Sequence, residues 1–97
     1  MNKGFVYILT NDKHTVLYTG STSDLKKRVY LHRKRLIPGF SKKYNAIKLV
    51  YYRCFNNVEE ALLRERTIKG SSRKRKIALI ESAYCSWRDL YPDLKPD

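Results

Sequence analysis

Apolar residues in this chain recur first at strand period, then at helical period, then at both in turn. Phe5-Val6-Tyr7-Ile8-Leu9 is an unbroken β-branched and aromatic run of strand length. Asn11-Asp12-Lys13-His14 is polar and turn-forming, and Thr15-Val16-Leu17-Tyr18-Thr19 reads as a second strand, so the pair predicts a β-hairpin. Gly20 follows at the expected strand exit, where it allows an unusual backbone angle or a close backbone approach. From there the period lengthens. Ser23 suits an N-cap and Asp24 the first helical turn. The spacing predicts a helix to about Arg35, with Leu25, Val29 and Leu36 as the buried stripe, flanked by Tyr30 or Leu31. Arg28, His32 and Arg35 form an adjacent polar stripe.

Residues 37–45 hold Pro38, Gly39 and polar side chains and read as a loop. Ile47 to Phe55 returns to strand character, with Leu49, Tyr51 and Arg53 expected on one face and Val50, Tyr52 and Cys54 on the other. Asn57, with Glu60 three positions on, opens a second helix. That helix runs to about Lys69, and Gly70 suits its C′ position. Ser71 or Ser72 caps a third helix, to which Ile77, Leu79 and Ile80 supply apolar contacts. The expected fold is α+β, a small three-stranded antiparallel sheet flanked by helices in the order β-β-α-β-α-α. Residues 1–82 form the domain. Residues 83–97 form an irregular tail, held by Trp87 and Tyr91 and packed on the domain or trailing from it.

Ninety-seven residues suit one domain, and 42% hydrophobic residues suffice for one modest core. Charge changes the picture more. Lys plus Arg is 21 against 9 Asp plus Glu, giving a net charge of +12. Such an excess expects a polyanionic partner, and nucleic acid is the simplest. Cys54 and Cys85 lie far apart with no CxxC, so neither a zinc site nor a disulfide framework is indicated, and reduced thiols in a cytoplasmic protein are expected. No signal peptide or membrane span is expected, since the run at Phe5–Leu9 is too short for either.

The candidate chemistry sits on this frame. Tyr7 and Tyr18 lie on the paired strands, Arg28 and His32 share a helix face at i and i+4, and Glu65 interrupts the apolar stripe of Ala61, Leu62 and Ile68. A phenol titrates near ~10 and needs neighbouring cations to act as a base, whereas an imidazole titrates near ~6.5. The sequence leaves Tyr7 and His32 open as competing bases. Arg28 offers a fork of donors matched to phosphate oxygens. A lone Glu65 is costly to bury without a partner, whether a metal ion or a neighbouring base such as Arg64 or Lys69. Arg73-Lys74-Arg75-Lys76 places four cations at the start of a helix, against its dipole, as suits a surface that meets phosphate. With Lys26, Lys27, Arg35, Lys42, Lys43 and Lys69 they form the candidate nucleic-acid-binding set.

The arrangement resembles the GIY-YIG endonuclease family over roughly Gly4 to Glu81. Val6-Tyr7 stands where the family has Ile-Tyr, and Tyr18-Thr19-Gly20 where it has Tyr-Ile-Gly. The stretch from Gly20 to Arg28 is similar to the segment bearing the family's essential Arg, and Glu60-Ala61-Leu62-Leu63-Arg64-Glu65 to that bearing its metal-binding Glu. Within that family it resembles the small stand-alone bacterial members. The resemblance implies Tyr7 as general base, Tyr18 as a residue positioning the nucleophile, and Glu65 as sole protein ligand of a divalent ion, Mg²⁺ with Mn²⁺ as an alternative. Mg²⁺ tolerates one carboxylate because it keeps waters and takes phosphate oxygens. Two departures stand out: Phe5 replaces the family's leading Gly, with Gly4 one place early, and no Asn follows Asn57. The expectation is a structure-directed DNA endonuclease, with RNA left open, no membrane partner and no small-molecule cofactor. The rival is a DNA- or RNA-binding module of the same fold with catalysis weakened or lost. A weaker third reading is a basic RNA-associated protein.

Overall fold

The structure, a computed structural model, describes residues 3–84 and 86–94. Strand β1 (Gly4–Thr10) is the middle of an antiparallel sheet, between β2 (Leu17–Thr22) and β3 (Lys48–Phe55). Its apolar run fits that place, because a central strand is buried on both faces and needs no alternation. Val6 and Ile8 pack with Ala61, Ile68 and Ile80, whereas Tyr7 and Leu9 pack with Leu25 and Val29. Helices α3 (Val58–Lys69) and α4 (Arg73–Ala83) therefore cover one face, and α1 (Leu25–Arg33) the other. The predicted fold class and element order hold, with one short helix added. Among the described residues no helix is long and apolar enough to cross a membrane.

The hairpin turn is longer than the sequence suggested. The Asn11 carboxamide oxygen accepts the backbone N–H groups of Thr15 and Val16, which keeps Thr15 and Val16 out of β2. The strand instead runs past Gly20 to Thr22. Gly20 is thus inside β2 and opposite Tyr7, and its backbone angle is not positive.

The first helix begins one residue late and ends two early. Asp24, not Ser23, is the N-cap and accepts the Lys27 N–H. The helix ends at Arg33, so Arg35 leaves it with φ of 57° and donates to Asn45. Leu36 is 66% exposed, contrary to expectation, and His32 takes its place in the stripe Leu25-Val29-His32. Positions i, i+4 and i+7 form one buried face, and the early helix end removes the next turn.

Strand β3 carries a bulge. Ile8 pairs with Tyr51 but Leu9 with Leu49, leaving Val50 as the extra residue. Val50 and Tyr51 therefore share the α3 face, while Leu49 and Tyr52 serve the α1 face. Strict alternation from Leu49 to Cys54 was the wrong period for this strand. Cys54 is a free, exposed thiol, and Cys85 lies outside the described residues. Asn57 caps α3 and Ser72 caps α4, each accepting the backbone N–H three residues on. Gly70 ends α3 as its C-cap with ordinary helical φ of −78°, rather than as a left-handed C′ residue. Leu62, expected in the buried stripe of α3, is 39% exposed, whereas Ala61 and Ile68 are buried.

Beyond α4 the chain crosses the free edge of β3. The Leu90 N–H donates to the Leu49 carbonyl, and the Asp89 carboxylate accepts the Leu49 N–H while pairing with Arg33. Leu90 is buried in the α1-side core and Tyr91 lies beneath the Arg33 guanidinium.

Candidate active site

Gly20 is the pivot of the site. A Cβ at this position would lie 2.5 Å from the Tyr7 hydroxyl and 2.6 Å from its Cζ. Cross-strand pairing brings the two residues opposite, and the phenol lies across the bare backbone. No other residue leaves that space. Gly4 does similar work one strand away, where a Cβ would meet the Asn57 carbonyl at 2.5 Å, so β1 docks closely on the start of α3.

The Tyr7 hydroxyl is 3.0 Å from His32 Nε2, and His32 Nδ1 is 2.7 Å from Ser41 Oγ. All three side chains are buried. Tyr18 closes the group, with its ring 6.3 Å from Tyr7 and 5.2 Å from His32. Burial, together with Arg28, pushes the His32 imidazole down to about 4, so it is neutral near pH 7. A neutral ring offers one donor and one acceptor. Burial raises the Tyr7 phenol far above its ordinary value; Tyr18 and Glu65 reinforce the shift, and Arg28 opposes it. Tyr7 is thus a neutral phenol at rest. The two candidate bases left open by the sequence are hydrogen-bonded in series.

Ser41 comes from a segment read as loop. It is a short helix, α2 (Phe40–Lys43), entered through Gly39 at φ of 109°. This turn buries Ser41 under His32 and places Phe40 against Tyr18. Nothing in the sequence pattern marks Ser41. Its only signal is the Gly39 that precedes the turn.

Glu65 lies on the other side of β2. Ser21 pairs with Val6 and so faces α3, where its hydroxyl donates to Glu65 Oε1. Lys69 Nζ is 2.6 Å from Oε2, one turn along the same helix. The Glu65 side chain is only 12% exposed and occupies the i+4 position of the buried stripe Ala61-Glu65-Ile68. The expected cost of burying it is met by Ser21 and Lys69, not by Arg64. The site therefore straddles edge strand β2, with Tyr7, Tyr18 and His32 on one face and Ser21 and Glu65 on the other. The Glu65 charge nonetheless acts on the Tyr7 phenol and helps to raise it.

Arg28 is exposed on the first turns of α1 beside Tyr7 and His32, in a groove shared with Thr22, Lys27 and Leu31. Lys27 lies with it, and Lys26 turns toward Phe5, Tyr52 and Leu94 instead. Lys42 and Lys43 are exposed on α2, next to the site. Lys69 is engaged by Glu65 and Arg35 by Asn45. Arg73 donates to the carbonyls of His14 and Thr15, tying α4 to the hairpin turn. Lys74 and Arg75 are exposed and Lys76 is half-buried.

Among the described residues no three His, Cys, Asp or Glu side chains cluster, so a metal here rests on one carboxylate. The local donors, a carboxylate and a hydroxyl, are hard oxygens of the kind Mg²⁺ and Mn²⁺ prefer. The Lys69 ammonium already holds a positive charge against Oε2. The donor set fits a hard cation.

A tyrosine-bearing hairpin, an Arg on the next helix and a Glu on a later one define a small α+β catalytic domain. The profile of the GIY-YIG catalytic domain matches residues 3–78, and the chain belongs to that family, whose members are in general nucleases. It is 40% identical over 78 residues to a UPF0213 protein of Clostridium perfringens, covering 80% of this chain and 83% of that one. A UPF0213 protein of Staphylococcus saprophyticus is 38% identical over 80 residues, covering 82% and 96%. The solution NMR structure of a UPF0213 protein of Bacillus halodurans superposes with a TM-score of 0.52 at 29% identity, covering 81% of this chain and 83% of that one.

Proposed function

We propose that the protein is a metal-dependent endonuclease that hydrolyses phosphodiester bonds of DNA, directed by structure more than by sequence. The observation that carries this reading is the hydrogen-bonded series Tyr7–His32–Ser41, set beside Arg28, with Glu65 held by Ser21 on the opposite face of β2. Water attacking phosphorus must lose a proton. The raised Tyr7 phenol cannot supply a resting phenolate, so it acts as a relay. The water proton passes to the Tyr7 oxygen as the Tyr7 proton passes to His32 Nε2, while Nδ1–H stays donated to Ser41 Oγ. The new O–P bond forms as the leaving oxygen departs and takes a proton from solvent. Burial is the larger cause of the low His32 value and Arg28 the smaller; phosphate arriving at Arg28 screens that smaller part, so the imidazole becomes a better acceptor when substrate binds. Arg28 also meets the charge that grows on the phosphoryl oxygens. Glu65, oriented by Ser21, is the residue to hold Mg²⁺ or Mn²⁺, which supplies Lewis-acid neutralisation of the phosphate.

The test is cleavage of labelled single-stranded, duplex and branched DNA with and without Mg²⁺. Glu65→Gln is expected to abolish cutting while leaving affinity for the strand within about twofold. Cutting at the wild-type rate by purified Glu65→Gln overturns the assignment of Glu65.

A further inference from the structure

Aromatic rings run outward from the buried site to the surface. Tyr18, 5.2 Å from the His32 ring, stacks on Phe40 at 6.2 Å with 22° between planes. Phe40 continues to Tyr44 at 4.8 Å. The outer rings are 43% and 42% exposed, although both sit on the α2 turn that supplies the buried Ser41. Isolated exposed aromatics are ordinary, but a row of touching rings that starts at the reacting groups is not explained by packing. Lys42 and Lys43 flank the row, with Lys43 Nζ 5.4 Å from the Tyr44 ring centroid. Among the described residues neither lysine has an acidic partner.

We propose that this row is a stacking platform for unpaired nucleobases beside the scissile phosphate, so that the preferred substrate presents single-stranded nucleotides there. The inference rests on the nuclease reading and names its substrate class. Stacking needs an open base face. Inside a duplex both faces of each base are covered by neighbours, and a Phe ring offers no donor or acceptor to a groove edge. An aromatic row flanked by cations suits a strand whose bases stack while its phosphates meet lysine. Charge complementarity points the same way, since the molecule carries +12.

The test is fluorescence anisotropy of wild-type protein in chelator, with a labelled oligo-dT strand and a blunt-ended two-strand duplex of equal phosphate number. Phe40→Ala/Tyr44→Ala is expected to weaken single-strand binding about tenfold or more, the scale of losing aromatic–base stacking, and duplex binding less than twofold. Phe40→Leu/Tyr44→Leu keeps apolar bulk and is expected to show the same selectivity, which carries the comparison should the alanine pair fold poorly. An abasic strand of the same length is expected to bind wild type and variants alike. Equal losses on strand and duplex, or no loss on either, overturn the platform. Chelator prevents cutting, so failure here leaves the hydrolytic reading standing, and a wild-type rate for Glu65→Gln leaves the platform standing.

Discussion

Tyr7 and Gly20 are one unit. The ring fills the space that a side chain at Gly20 would take. Gly20→Ala is therefore expected to lower stability by about 1–3 kcal/mol, the usual cost of overpacking. In a Tyr7→Ala background the same change is expected to cost less than half as much, because the ring that clashes is gone. Equal costs in both backgrounds, read by urea denaturation, would show that Gly20 matters for another reason. His32 carries a second consequence. Its pKa falls from the ordinary ~6.5 of an unfolded imidazole to about 4 in the folded protein. Between those values the unfolded chain binds a proton that the folded chain refuses. Stability is full above ~6.5 and falls as pH drops through this window, by up to about 3 kcal/mol. His32→Gln is expected to flatten the denaturation midpoint between pH 6.5 and 4, and an unchanged pH slope would contradict a buried neutral imidazole. The sequence shows Tyr7, Tyr18, Arg28, His32 and Glu65 as residue types at suggestive spacings. It does not show that Tyr7 and His32 touch, because that depends on how tightly α1 packs on the sheet and on the Tyr7 ring lying across the bare backbone of Gly20.

At the scale of elements, each helix beside the site interrupts its own apolar stripe with one polar group: His32 after Leu25 and Val29, Glu65 between Ala61 and Ile68. The Glu65 interruption is legible in sequence, as are the existence of the strands and the cap at Asn57, whereas His32 reads as part of the polar stripe with Arg28 and Arg35 and the cap of α4 as Ser71 or Ser72. What was not legible had a tertiary cause. The bulge at Val50 follows from pairing with β1, and the helical turn of α2 has too few residues to show a period. Ser41 belongs to that turn, so its role is a property of the element. In the proposed relay the His32 proton sits on Nδ1 against Ser41 Oγ and Nε2 accepts from Tyr7; Ser41→Ala removes the Nδ1 partner that would hold that tautomer. Cleavage is expected to slow about tenfold, short of the ~10²-fold or more lost with an acid–base group itself. The acidic limb of the pH–rate profile is expected to move, and Ser41→Thr to restore both. A slower rate with an unmoved profile would make Ser41 a packing residue only.

For the whole molecule the governing quantity is charge. Among the described residues the ion pairs are Arg33–Asp89, Lys69–Glu65 and Arg88–Asp93, so the cations of α2 and the start of α4, and those of α1 other than Arg33, have no acidic partner. The crossing of β3 by residues 89–91 uses Arg33 for cohesion, and the Glu65 pair uses Lys69, which leaves the rest of the excess for a polyanion. The four cations of α4 divide accordingly. Arg73 is engaged by the His14 and Thr15 carbonyls, whereas Lys74 and Arg75 face solvent with Lys76 beside them. Arg73→Gln is expected to lower stability while changing strand affinity little. Neutralising Lys74, Arg75 and Lys76 together is expected to weaken binding to all sequences alike. It should also flatten the slope of log K against log salt by about 0.7 to 0.9 for each phosphate that the variant no longer neutralises. Titrations at several salt concentrations measure both variants. An unchanged slope in the triple variant would take α4 out of the phosphate-binding surface and leave it to the unpaired cations of α1 and α2, on the side of the sheet where the aromatic row emerges.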